Sequence, residues 1–201
     1  MLSISTLPLG SYQTNCYVVW ESSCDHCLVI DPGDEAGRLC AFLRQKDLTP
    51  EAILLTHGHF DHVGGVKALA AEYDCPVYLC GDELSLPPAF TAGPLYYTHT
   101  YQEGSTLLLA GLTVLVRHTP GHTPGSVCLQ IEDALFTGDT LFAGSCGRTD
   151  LPGGNSAALF KSLKRLSGME DFSVYPGHGE ATTLLWEQKT NPYLQFGEET
   201  V

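Results

Sequence analysis

The chain has 201 residues, 43% hydrophobic and 16% charged, which suits one globular domain with a full core and excludes a disordered or fibrous chain. Ten Lys and Arg stand against 23 Asp and Glu, a formal net charge of −13. That surface repels phosphate backbones and anionic bilayers, so no nucleic-acid or membrane partner is expected, although a locally positive pocket could still take a small anion.

The amino terminus lacks a basic start followed by an apolar run, and no stretch of eighteen apolar residues occurs, so neither a secretory signal nor a membrane span is expected. The eight cysteines of such a chain are expected as reduced thiols in a cytoplasmic protein. Asn15 to Trp20 and Cys27 to Ile30 read as two strands around a polar turn. Cys24-Asp25-His26-Cys27 in that turn has CxxC spacing, but no second pair completes a zinc site. Ala36, Leu39, Cys40 and Leu43 fall at helical spacing, and Ala52 to Leu55 is a short buried strand running into Thr56-His57. Val66, Leu69, Ala70 and Tyr73 mark a second helix, and Pro76 to Leu79 the next strand. Pro87 to Tyr101 is expected as a long surface loop. Leu107 to Leu109, Thr113 to Val116, Val127 to Ile131 and Ala134 to Phe136 read as strands with tight turns. Leu159, Leu163 and Leu166 mark a third helix with Asn155 as its cap, Phe172 to Tyr175 a last strand, and Ala181 to Gln188 a helical segment. This order predicts an α/β fold: two mixed sheets packed face to face with helices outside, an αββα sandwich.

The chemical signal is His57-Gly58-His59-Phe60-Asp61-His62, with three histidines and one aspartate in six residues at the mouth of a buried strand. Alternate side chains of an extended segment share a face, so His57 and His59 are placed to grip one metal ion. Asp61 and His62 follow where strand turns to helix, placed to face a second. As packing alone, an Asp helix cap and two polar loop histidines would be ordinary singly, but not together. His122 in Pro120-Gly121-His122-Thr123, Asp139 in Thr137-Gly138-Asp139-Thr140 and His178 in Pro176-Gly177-His178-Gly179 lie in turns near apolar strands. With them the chain supplies five histidines and two aspartates, enough for two ions. Imidazole and carboxylate favour zinc, with iron or manganese as further options. His118 is expected as a strand-end residue, and His26 and His99 as solvated side chains.

These motifs, with LPLGSYQTNCYVVW and VIDPGD near the start, resemble the metallo-β-lactamase-fold hydrolases, and most nearly the short bacterial glyoxalase II (hydroxyacylglutathione hydrolase) proteins. The resemblance implies a single domain over residues 1–201, without the C-terminal helical domain that binds glutathione in longer members. It implies that His57, His59 and His122 hold one ion, that Asp61, His62 and His178 hold the other, and that Asp139 bridges them. It also implies a small-molecule thioester substrate such as S-lactoylglutathione. Metal ions lower the pKa of bound water from ~15.7 to about 7, so a hydroxide held between them would attack the thioester carbonyl, with Asp61 and Asp139 as the catalytic carboxylates.

The stretch Gly144 to Gly154 carries Arg148 where longer relatives have a glutathione-binding lysine, and Asp150 where they have a tyrosine. Arg148 is expected either to hold a substrate carboxylate or to pair with Asp150. The alternative activity is that of a persulfide dioxygenase of the same fold, which uses one iron and has a similar GCGRTD stretch. A third possibility is a non-catalytic domain that kept the fold, against which the seven ligand-type residues count. Asp139 counts against β-lactamase activity, and the acidic surface against RNA processing.

Overall fold

Strict alternation along the strands sorts the side chains into three apolar layers. The computed structural model describes residues 1–195, so the last six residues of the expected 1–201 domain lie outside the described part. The first half of the chain contains β1 (Leu2–Leu9), β2 (Thr14–Glu21), β3 (His26–Ile30), α1 (Ala36–Gln45), β4 (Thr49–Leu54), α2 (Phe60–Val63), α3 (Val66–Tyr73), β5 (Val77–Cys80) and β6 (His99–Tyr101). These strands form a sheet in the order β1-β2-β3-β4-β5-β6, antiparallel up to β3 and parallel from β3 to β6.

The second half contributes β7 (Thr106–Leu109), β8 (Leu112–His118), β9 (Val127–Ile131), β10 (Ala134–Gly138), β11 (Leu141–Phe142), β12 (Ser145–Cys146), α4 (Ser156–Ser167), β13 (Ser173–Pro176), β14 (Thr182–Thr183), α5 (Leu184–Thr190) and α6 (Pro192–Gln195). Its sheet runs β14-β13-β10-β9-β8-β7, with β10 and β13 parallel, and β11-β12 form a separate hairpin.

Tyr17, Val19, Leu28, Ile30 and Leu54 of the first sheet pack against Val114, Val116, Leu129 and Phe136 of the second. The alternate residues Cys16, Val18, Cys27 and Val29 face Leu39 and Leu43 of α1 and Leu69 of α3. Cys128, Leu135 and Val174 face Leu159, Leu163 and Leu166 of α4. Helix, sheet, sheet and helix thus follow one another, and the expected αββα sandwich is the observed one. Asn155 caps α4 as expected, its side chain accepting the Ala158 N–H at 3.0 Å. Among the described residues no helix is long and apolar enough to cross a membrane.

Five strands differ from the expectations, among them β11 and β12, the two-residue strands of the separate hairpin. β1 was not expected at all. It is an edge strand, mostly half-buried, so its apolar period is weak, and Pro8 is tolerated there. β6 falls at the end of the stretch expected as a loop, and β14 takes up the start of the Ala181 to Gln188 segment expected as helical, just before α5. Both are two or three residues long and exist only through pairing with β5 and β13.

Candidate metal centre

Most of the ligand-type residues follow the carboxyl ends of parallel strands, where open α/β sheets commonly place their ligands, and His122 follows the antiparallel β8. Asp31 follows β3, His57 and His59 follow β4, Asp139 follows β10 and His178 follows β13. The two sheets are tied together at this end. The Thr56 carbonyl accepts the Val127 N–H at 2.9 Å, and the Gly177 carbonyl accepts the Asn15 N–H at 2.8 Å.

Two clusters form. The ligand atoms of His57, His59 and His122 lie within 4.8 Å of one another, and so do those of Asp61, His62 and His178. Asp139 sits between them. Its Oδ2 is 3.4 Å from His122 Nε2 and 3.6 Å from His178 Nε2, and its Oδ1 is 3.3 Å from His62 Nε2. Gly177 permits this approach, since a Cβ there would lie 2.3 Å from Asp139 Oδ1 and 2.7 Å from His62 Cε1.

Hydrogen bonds fix which ring nitrogens are free. Asp31 accepts the Thr56 N–H at 2.7 Å and its hydroxyl at 2.6 Å. With its proton on Asp31, the Thr56 hydroxyl accepts from His57 Nδ1 at 3.1 Å. His62 Nδ1 donates to the same Asp31 at 2.9 Å, and His122 Nδ1 donates to the Arg148 carbonyl at 2.7 Å. In its neutral form each of the three rings therefore carries its lone pair on Nε2, the arrangement that outer hydrogen bonds impose on metal-binding histidines. His59 Nδ1 faces His122 Nε2 at 2.9 Å. Nε2 of His57, His59 and His62 and Oδ1 of Asp139 are buried without a hydrogen-bond partner. Each such orphan costs about 1–3 kcal/mol. Together they are an imidazole and carboxylate set suited to borderline divalent cations.

The clusters differ electrostatically. Burial, reinforced by neighbouring imidazoles, holds His57 well below the usual histidine range and His59 at about 4. Burial also lowers His122, against the pull of Asp139. In the other cluster burial opposes protonation of His62, but Asp139 and Asp31 outweigh it and push its pKa well up. His178 is likewise raised, the carboxylates of Asp61 and Asp139 overcoming its burial. Asp61 and Asp139 are held low despite burial, by hydrogen bonding from His178 and by the charge of His62 respectively.

Arg148 does not reach the cluster with its guanidinium, which forks onto Asp150 through Nε–Oδ1 and Nη2–Oδ2 contacts of 2.7 Å each. Its main chain enters the site instead, through the carbonyl that holds His122. His118 ends β8 and donates from Nε2 to the Pro124 carbonyl at 2.8 Å, apart from both clusters. It shares a surface group with Cys80 and Asp82. His26 pairs with Asp25, and His99 stacks on Tyr78. Cys27 is buried in the layer facing α1 and α3, Cys24 groups with Asp25 and His26, and all eight cysteines are free.

Sequence reading assigned no role to Asp31, Thr56 or Thr14, whose hydroxyl donates to Asp61 Oδ2 at 3.0 Å. A signal for Asp31 was present. Like Asp139, it is an aspartate set directly after an apolar strand.

The metallo-beta-lactamase superfamily model matches residues 9–178. The hydroxyacylglutathione hydrolase GloC of Haemophilus influenzae is 34% identical, over 96% of this chain and 98% of its own. The crystal structure of the B3 metallo-beta-lactamase BLEG-1 superposes with a TM-score of 0.89 at 38% identity, covering 96% of this chain and 99% of that one. A crystal structure of TTHA1623 in a di-iron-bound form superposes with a TM-score of 0.84 at 42% identity, covering 94% and 100%. The chain belongs to the metallo-beta-lactamase superfamily and is a metallo-hydrolase by kinship.

Proposed function

We propose that this superfamily member is a two-metal hydrolase of small thioesters, with His57, His59 and His122 holding one ion, Asp61, His62 and His178 the other, and Asp139 shared between them. The observation that carries this reading is the fixing of three imidazoles through Nδ1, two of which, His62 and His122, bring Nε2 to opposite oxygens of the Asp139 carboxylate. Zinc is the favoured metal from the donor set, and the di-iron form of TTHA1623 keeps iron open. When bound, the ion pair supplies Lewis acidity and a water of lowered pKa.

The chain's own residues set the geometry. Asp61 stays ionised, steadied by the Thr14 hydroxyl, and offers a carboxylate oxygen that can orient water. Asp139 holds one imidazole of each cluster at a fixed distance. A thiolate is a good leaving group, so the reaction needs neither a nucleophilic serine or cysteine nor a strong general acid. The exposed Tyr12–Phe60 pair, edge to face at 5.1 Å beside Asp61, offers an apolar rim for the acyl group. GloC, matched over nearly its whole length, supports a hydroxyacylglutathione thioester in particular. Such a small-molecule partner, and a cytoplasmic setting, suit the acidic surface.

β-Lactam hydrolysis is the second reading, favoured by the kinship with BLEG-1, although Asp139 weighs against it. The test is turnover of purified protein on S-lactoylglutathione, other thioesters and a β-lactam, with metal content measured on the same sample. Thioester hydrolysis with two ions per chain is the expected result. Turnover of the β-lactam alone would replace this reading with the second. One iron per chain with sulfur oxidation would replace it with a persulfide dioxygenase.

A further inference from the structure

Glu83 lies in the turn after β5 and is fully buried. Its Oε2 accepts the Gly58 N–H at 2.5 Å, and its Oε1 accepts the Gly125 N–H at 2.7 Å. Gly58 stands between His57 and His59, and Gly125 three residues after His122. Among the described residues no lysine, arginine or histidine lies within ion-pair distance of it. Both loops are shaped around this side chain. A Cβ on Gly58 would come within 2.9 Å of Glu83 Oε2, and one on Gly125 within 2.8 Å of Glu83 Cγ. Burying a carboxylate without a counter-charge is costly. A mere filler of that space could be apolar. Two N–H groups from two separate loops, however, require one acceptor with two oxygens.

We propose that Glu83 is a positioning residue that clasps the His57–His59 loop to the His122 loop and so sets the geometry of the three-histidine metal site. The inference rests on the reading of those histidines as ligands.

Glu83→Gln tests it on the full chain, because glutamine keeps the shape but turns an N–H₂ group toward one of the two glycine donors. Zinc affinity, measured by chelator competition, should fall about 10–100-fold, the usual loss when an outer partner of a metal ligand is removed. kcat should fall with it while KM changes little. Wild-type zinc affinity and kcat in this variant, whatever its melting temperature, would overturn the proposal. Should the variant fail to fold, amide exchange of the metal-free wild-type protein decides: slow exchange at both Gly58 and Gly125 supports the clasp, and fast exchange at either refutes it. His59→Ala separates the clasp from the ligand reading beneath it. If it binds zinc as wild type does, the ligand reading fails. If it loses zinc while Glu83→Gln does not, only the clasp fails.

Discussion

The two histidine clusters lie side by side but are built differently. His57, His59 and His122 are buried, stand on loops clasped between the sheets, and have lowered pKa values. In the other cluster Asp61 and His178 stand nearer solvent, with the His178 side chain 30% exposed, while His62 is fully buried, and carboxylates raise the pKa of both histidines. The first cluster is a preformed pocket of neutral donors. The second attracts cations by charge and must shed protons to take a metal. One short sequence run feeds both, so the contrast arises from what surrounds each side chain.

Removing the group shared by both clusters should have the largest effect. Asp139→Ala should reduce kcat/KM by a factor on the order of 10³ or more, the scale lost when one transition-state-stabilising group is deleted. It should also lower the metal content. Near wild-type turnover would show that the clusters act separately.

Acid should separate the clusters next. Raised pKa values keep His62 and His178 protonated to higher pH, so protons compete with metal there first as pH falls. His59, at about 4, remains a neutral donor until the pH approaches that value. A metal titration from neutral to acid pH should therefore pass through a one-ion state held by His57, His59 and His122. Simultaneous release of both ions would erase the distinction.

Asp31 serves both clusters, whereas Thr56 serves only His57. Asp31→Asn should weaken both metals about 10–100-fold, and Thr56→Val should weaken the first toward the lower end of that range. Equal losses from both sites in Thr56→Val would mean that the Asp31–Thr56 relay is not specific. The smallest effect is expected at Arg148. Its guanidinium is exposed and held by Asp150, so Arg148→Ala should raise KM by about tenfold at most, and only for thioesters with a carboxylate-bearing carrier. Equal changes on a neutral thioester, matched by Asp150→Ala, would reduce the pair to a loop fastening.

Most of the sandwich was readable because burial on one strand face imposes period two and burial of a helix imposes 3.6. Val127 to Ile131 was located to the residue, and α4 with its Asn155 cap nearly so. β1, β6 and β14 escaped because short or half-buried edge strands carry little period and have partners elsewhere in the chain, and β11 and β12 because two residues carry no period at all. The seven ligand-type residues were legible for a different reason. Metal chemistry restricts residue type, and imidazoles and carboxylates clustered in glycine-rich turns seldom serve packing alone. Their supporting groups were less legible, with only Asp31 signalled by its place after an apolar strand. Asp31, Thr56 and Glu83 belong to residue types found in any turn, and their part in the site depends on hydrogen bonds spanning 25 positions or more, or on a neighbour whose proton is already engaged.

The sequence alone determined the layers of the fold and the inventory of donors, because hydrophobic period and ligand chemistry are local properties. Only the tertiary structure decided how the donors are used. It turned Arg148 toward Asp150 and brought its carbonyl to His122, set the free nitrogen of three of the rings, and made one cluster neutral and the other charged. Those outcomes follow from distances between side chains far apart in the chain, on which orientation, desolvation and Coulomb energy all depend.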